Sequence, residues 1–132
     1  MSSETCEIME IETCLMELLH SIQRADIQAY LRRVSDQVSC FEPETLGHLL
    51  KGIGLHRYLV EQAEPVENYH IELMDPVIKV AKDMAFAAYT LHLTEKIDKQ
   101  DRIQSENVTR IFQREKGVWK MVHFHRSLFL PG

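Results

Sequence analysis

The chain has 132 residues, 45% hydrophobic and 27% charged, which is ordinary globular composition and enough for one domain (residues 1–132) with its own core. Acidic residues outnumber basic ones by 20 to 15, a formal net charge of −5. That balance argues against nucleic acid or an anionic membrane as partner, since both call for a basic excess.

The first element is "CEIMEIETCLMELLHSIQRA". Ile8, Ile11, Leu15, Leu18 and Ile22 recur at steps of three and four, the single apolar stripe of an amphipathic helix. Glu4 and Glu7 suit the positive end of its dipole. The acidic start is unlike a secretory signal, and Cys6, Cys14 and Cys40 show no paired spacing. Free thiols in a reducing, cytoplasmic setting are expected. Asp26 reads as the N-cap of a short second helix burying Ile27, Tyr30, Leu31 and Val34.

"QVSCF" is a short strand, and a helical region from Glu42 to Pro65 follows, broken by Gly52 and Gly54. From Tyr69 onward the chain reads as four long strands, about Asn68–Lys82, Ala85–Lys96, Ser105–Arg114 and Val118–Phe129. Short polar turns, "AKD", "DKQDR" and "EKG", join them. The longest apolar run, "MAFAAY", is far short of the ~20 residues of a membrane span. Helices first and an antiparallel meander second describe an α+β domain, with helices on one face of a curved sheet and a pocket between them.

Strand side chains alternate faces, so each strand divides into an even and an odd set. Taking the even set as helix-facing places Arg110, Arg126 and His92 in the pocket and sends Tyr89, Leu91, Leu93, Trp119, Met121, His123 and His125 outward. So apolar an outer face exceeds what a lone chain normally exposes and predicts a second copy packed sheet to sheet. The alternative is that the sheet curls tightly and a loop or the tail "LFLPG" covers the patch. Buried arginines need an anion or a carboxylate, so the pocket reads either as a site for a small carboxylate or acidic peptide or as internal pairing with Glu106, Glu61 or Glu42.

For catalysis, His56, Tyr58 and His92 are the available groups, and only Glu106 has the parity to partner them. No nucleophile elbow, phosphate loop or dinucleotide fingerprint occurs. No catalytic residue, cofactor or metal is therefore assigned; His123 and His125 alone lack the further ligands a metal needs. His20, His48 and His70 carry no signal.

"FEPETLGHLLKGIGLHRYLVE" and "SENVTRIFQREKGVWKMVHFHRS" together resemble the association (hub) domain of calcium/calmodulin-dependent protein kinase II. The matching pieces include Phe41-Glu42-Pro43-Glu44, Leu46-Gly47, His56-Arg57, Asp75-Pro76, Thr109-Arg110, Trp119-Lys120 and Val122 to Ser127, over residues 10–127. The resemblance implies the nuclear transport factor 2-like fold, a cone of curved antiparallel sheet around a long N-terminal helix. It implies dimers assembling into stacked rings of the dodecamer or tetradecamer class, and co-assembly with hub-bearing kinase subunits. It also implies a cavity whose arginines, here Arg110 and Arg126 with His56 at the mouth, engage acidic ligands. His92 stands where the family arginine of "AYTLHLT" is expected, and neither a kinase glycine-rich loop nor a catalytic-loop HRD motif is present. A homo-oligomeric scaffold is the reading this supports. A pocket enzyme of isomerase, dehydratase or cyclase type, or a small-acid binder, is the alternative.

Overall fold

The computed structural model describes residues 3–45 and 47–129. Helix α1 (Ser3–Gln23) buries Ile11, Cys14, Leu15, Leu18 and Leu19 against the sheet, on the expected stripe. The stripe's ends do not bury: Ile8 is only partly covered, and Ile22 is 38% exposed at the rim of a cavity. The Asp26 side chain accepts a hydrogen bond from the Ala29 amide (3.1 Å) and caps α2 (Ile27–Arg33), as the sequence predicts. Strand β1 (Val34–Phe41) starts directly from its last turn.

Less of the expected helical region from Glu42 to Pro65 is helix. Pro43–Thr45 form a single 3-10 turn, Leu50–Lys51 form the two-residue strand β2, and only Gly54–Gln62 coil into α3. Gly52 explains the break. It sits at φ +91° and its amide bonds to the Val38 carbonyl (2.7 Å), tying the segment to β1 where a helix would need that N–H for itself. Leu46, part of the resemblance, lies outside the described residues, as do residues 130–132 of the tail proposed as a cover.

Four long strands complete the chain: β3 (Asn68–Ala81), β4 (Met84–Ile97), β5 (Gln100–Glu115) and β6 (Val118–Leu128). The six strands form one sheet in the order β2-β1-β6-β5-β4-β3. Every junction is antiparallel except β1 with β6, which is parallel, so the sheet is mixed. The fold is α+β, three helices against the inner face of this sheet.

The faces are where the sequence reading needs correction. In β4 the odd set turns inward: Ala85, Ala87, Tyr89, Leu91, Leu93 and Glu95 are all buried. It is the more continuously apolar set, whereas the even set carries Thr90, His92 and Thr94. In β6 no single parity holds. The register slips between Ile111 and Phe112, leaving Val122 as an extra residue opposite β5. Trp119 and Met121 therefore point inward ahead of this bulge, and Phe124 and Arg126 point inward after it.

Trp119 is 4% exposed, donates to Glu10 of α1 (2.9 Å) and lies under the Arg114 guanidinium (4.6 Å). Tyr89, Leu91, Leu93, Trp119 and Met121 are thus inner-face residues of a single chain, not the outer patch expected of them. The cross-strand register gives the actual outer face as rows. One row is Met74, Thr90, Asn107 and Ser127; the next is Val77, Ala88, Thr109 and His125; the third is Lys79, Phe86, Ile111 and His123.

Candidate functional site

Between α1, α3 and the inner sheet face lies a cavity of about 410 Å³. Strand alternation and the β6 bulge bring Arg110 (β5), Arg126 (β6) and His56 (α3) to its wall, together with Glu42 at the end of β1 and Glu106 of β5. Tyr58 does not reach it, being 59% exposed on the far side of α3. His92 lies on the outer face, where its Nδ1 pairs with the Ser105 hydroxyl (2.6 Å) and its ring meets Phe129 edge-on. The odd parity of the buried β4 residues puts it there. His123 and His125 do face outward: His123 Nδ1 pairs with the Ser39 hydroxyl (2.7 Å), and both rings pack on Phe41.

The two cavity arginines sit in opposite electrostatic situations. Both terminal nitrogens of Arg126 are taken by acids. Its Nη1 donates to both oxygens of Glu106 (2.7 and 2.8 Å), and its Nη2 donates to Glu42 and to Glu44 (2.7 Å each). Burial works against this guanidinium's charge, but the carboxylates more than offset it and raise its pKa. Of the two readings open for the arginines, internal pairing is the one Arg126 follows.

Arg110 is 4% exposed and has no ion pair among the described residues. Its Nε donates to the Tyr89 hydroxyl (2.9 Å), its Nη1 lies 3.1 Å from the Met121 sulfur, and its plane covers the Phe124 ring at 5.1 Å. A cation this deep, held by a phenol, a thioether and a π face, retains donor capacity towards the cavity.

Glu42 ties the wall together. Besides Arg126 it accepts from His56 Nε2 (2.7 Å), and the Cys40 thiol approaches the same oxygen at 3.8 Å. Burial would raise its pKa, yet the hydrogen bonds from His56 and Arg126 outweigh that and hold it down at about 2. The Cys40 thiol is pushed up to about 11, first by burial and then by the Glu42 charge. Burial likewise pushes the Tyr30 hydroxyl on the cavity wall up to about 12.

The His56–Glu42 pair was missed by sequence reasoning, which looked for a partner on the strands. Its partners stand 14 residues apart across the broken turn. Glu95, Arg102 and Gln104 line the cavity unannounced as well. No helix among the described residues is long and apolar enough to cross a membrane.

Residues 7–129 match the family of the calcium/calmodulin dependent protein kinase II association domain. Over 124 residues the chain is 36% identical to the rabbit (Oryctolagus cuniculus) calcium/calmodulin-dependent protein kinase type II subunit delta. That match takes in 89% of this chain, which spans 23% of the relative's length. Among solved structures, the association domain of the C. elegans kinase superposes with a TM-score of 0.85 at 28% identity, covering 95% of this chain and 98% of that one. The S. rosetta kinase hub gives 0.79 at 27%, covering 98% of each. A nuclear transport factor 2-like protein of Salmonella enterica, 18% identical, shares the fold (TM-score 0.78, 97% and 95% covered).

Proposed function

The chain belongs to the calcium/calmodulin-dependent protein kinase II association-domain family, and from that premise we propose that it is a homo-oligomeric hub whose dimers close into a ring. The observation that carries this reading is the outer sheet face. Met74, Val77, Met84 and Phe86 are 38–47% exposed there, beside Ile111 and Ala88. Nothing in the described chain covers them, and a contiguous apolar face of this kind is normally buried against another molecule. A second copy presents the same face, and a two-fold contact satisfies both at once. Kinase chains bearing a matching hub are the natural hetero-partners.

Native mass spectrometry of the purified chain is expected to show an even-numbered assembly and little free protomer. A solitary monomer at micromolar concentration would overturn the proposal.

A second reading concerns the cavity, and Arg110, which has no ion pair among the described residues, favours it. The cavity takes a small carboxylate or the acidic side chain of a peptide at Arg110, while Arg126 holds the wall together from behind. Titration with a series of short monocarboxylates is expected to show binding that weakens by about tenfold or more in Arg110→Met, the loss of a charge-assisted hydrogen bond. Equal affinity in both proteins would discard the site.

A further inference from the structure

We propose that Cys40, Glu42 and His56 form a binding site for one divalent transition metal ion of the zinc class, a function beyond the assembly role and independent of it. One ligating atom from each residue, the Cys40 Sγ, a Glu42 carboxylate oxygen and a His56 ring nitrogen, lies within 4.8 Å of the other two. Within the cluster, Sγ stands 3.8 Å and Nε2 stands 2.7 Å from Glu42 Oε1. Around a tetrahedral ion with bonds of ~2.0–2.3 Å, neighbouring donor atoms lie roughly 3.3–3.7 Å apart. Side-chain shifts of about 1 Å therefore bring the three onto one ion.

The backbone already sets this arrangement. Cys40 and Glu42 are two residues apart on extended chain and share a face. His56, in the first turns of α3, is held over them with its ring edge-on to Phe124. Cys40 and Glu42 are 1% and 6% exposed, and the His56 side chain is 13% exposed.

The donor set names the ion. Thiolate, imidazole and a single carboxylate suit zinc or cobalt and disfavour magnesium and calcium, which want oxygens alone. Charge supports a dication independently of geometry. Three carboxylates, Glu42, Glu44 and Glu106, converge on the one guanidinium of Arg126, an excess of two negative charges, and two of the three acids are buried. Arg110 on the same cavity offsets part of that excess without pairing with any of them. Glu42 and His56 both line the cavity, so the fourth coordination position faces it and is filled by water. On binding, the Cys40 thiol releases its proton to solvent. His56 gives up the Nε2 proton it donates to Glu42; that proton passes through solvent to Nδ1, the ring nitrogen with no hydrogen-bond partner among the described residues, and the Nε2 lone pair takes the ion.

Cobalt(II) is the probe, titrated into tag-free protein carrying Cys6→Ser to remove the exposed thiol. The expected result is one cobalt per chain, with a thiolate-to-cobalt charge-transfer band, tetrahedral d–d absorption and release of a thiol proton; zinc then abolishes both absorptions without return of the proton, because the thiolate is retained. Cys40→Ala is expected to lose the charge-transfer band at unchanged assembly mass. His56→Gln, which keeps the thiol, is expected to weaken binding by more than the roughly 10–100-fold cost of losing an outer-sphere partner. Absence of the band in the parent protein, or its persistence in Cys40→Ala, would overturn the proposal.

Discussion

Replacing Arg126 with methionine is expected to destabilise the protein by about 3–5 kcal/mol at neutral pH, because two buried carboxylates lose their counter-ion together. Methionine keeps the apolar stem of the side chain and removes only the fork. Glu106 and Glu42, with side chains 4% and 5% exposed, are then left as charges in a low-dielectric wall. Only His56 and, more weakly, the Cys40 thiol continue to donate to Glu42.

The pH dependence separates this cause from a simple packing loss. In the parent protein Glu42 is held at about 2, below its unfolded value of 4.5. Its contribution to stability is therefore fully present above 4.5 and is lost as pH falls towards 2. In Arg126→Met the burial that opposes ionisation is met by fewer donors, so protonating the acids relieves strain. The gap between the two proteins should narrow as pH is lowered through that window. Urea unfolding at neutral and acidic pH, at one chain concentration, measures the gap. An equal gap at both would show that the carboxylate clamp is not what Arg126 contributes.

That clamp also marks where sequence reading stops. Period and punctuation reveal the elements. The stripe from Ile11 to Leu18, the Asp26 cap and the four long strands appear within a residue of their places, except that β5 starts at Gln100, five residues ahead of Ser105, so Gln100 to Arg102 of the expected turn "DKQDR" are strand paired with β4. Face and partner are not local properties. Glu42 and Glu44 meet Arg126 across 84 and 82 residues, through a parallel pairing of β1 with β6 that no strand composition signals.

The bulge at Val122 is equally silent. "VWKMVHFHRSL" is apolar on both parities, and either phase is locally acceptable, so a one-residue slip reverses every side chain beyond it. In β4 a signal did exist, since Thr90, His92 and Thr94 share one parity and mark the outer face. The conclusion that the chain has more apolar strand surface than it can hide keeps its force, but the residues responsible are Phe86, Ile111, Met84 and Val77.

Two aspartate substitutions five residues apart on β4 should accordingly behave in opposite ways. Leu91 is 8% exposed, lies on the cavity wall and is paired across the strands with buried Glu106. Leu91→Asp places a second carboxylate beside one already buried. An uncompensated buried charge costs about 3–5 kcal/mol, so this chain should fail to fold or collect as aggregate. Phe86 is 38% exposed on the outer face, in register with Lys79 on one side and Ile111 on the other. Phe86→Asp gains a cross-strand partner in Lys79, and the folded protomer should lose no more than about 1 kcal/mol of strand propensity. A desolvated charge at a contact between copies is far more damaging, and it is doubled by the two-fold relation of the partners. Circular dichroism should therefore report a native fold for Phe86→Asp, while light scattering reports a smaller species. If Phe86→Asp assembles like the parent protein, copies do not meet through the outer sheet face, and the contact that builds the hub lies on the helices or the strand ends.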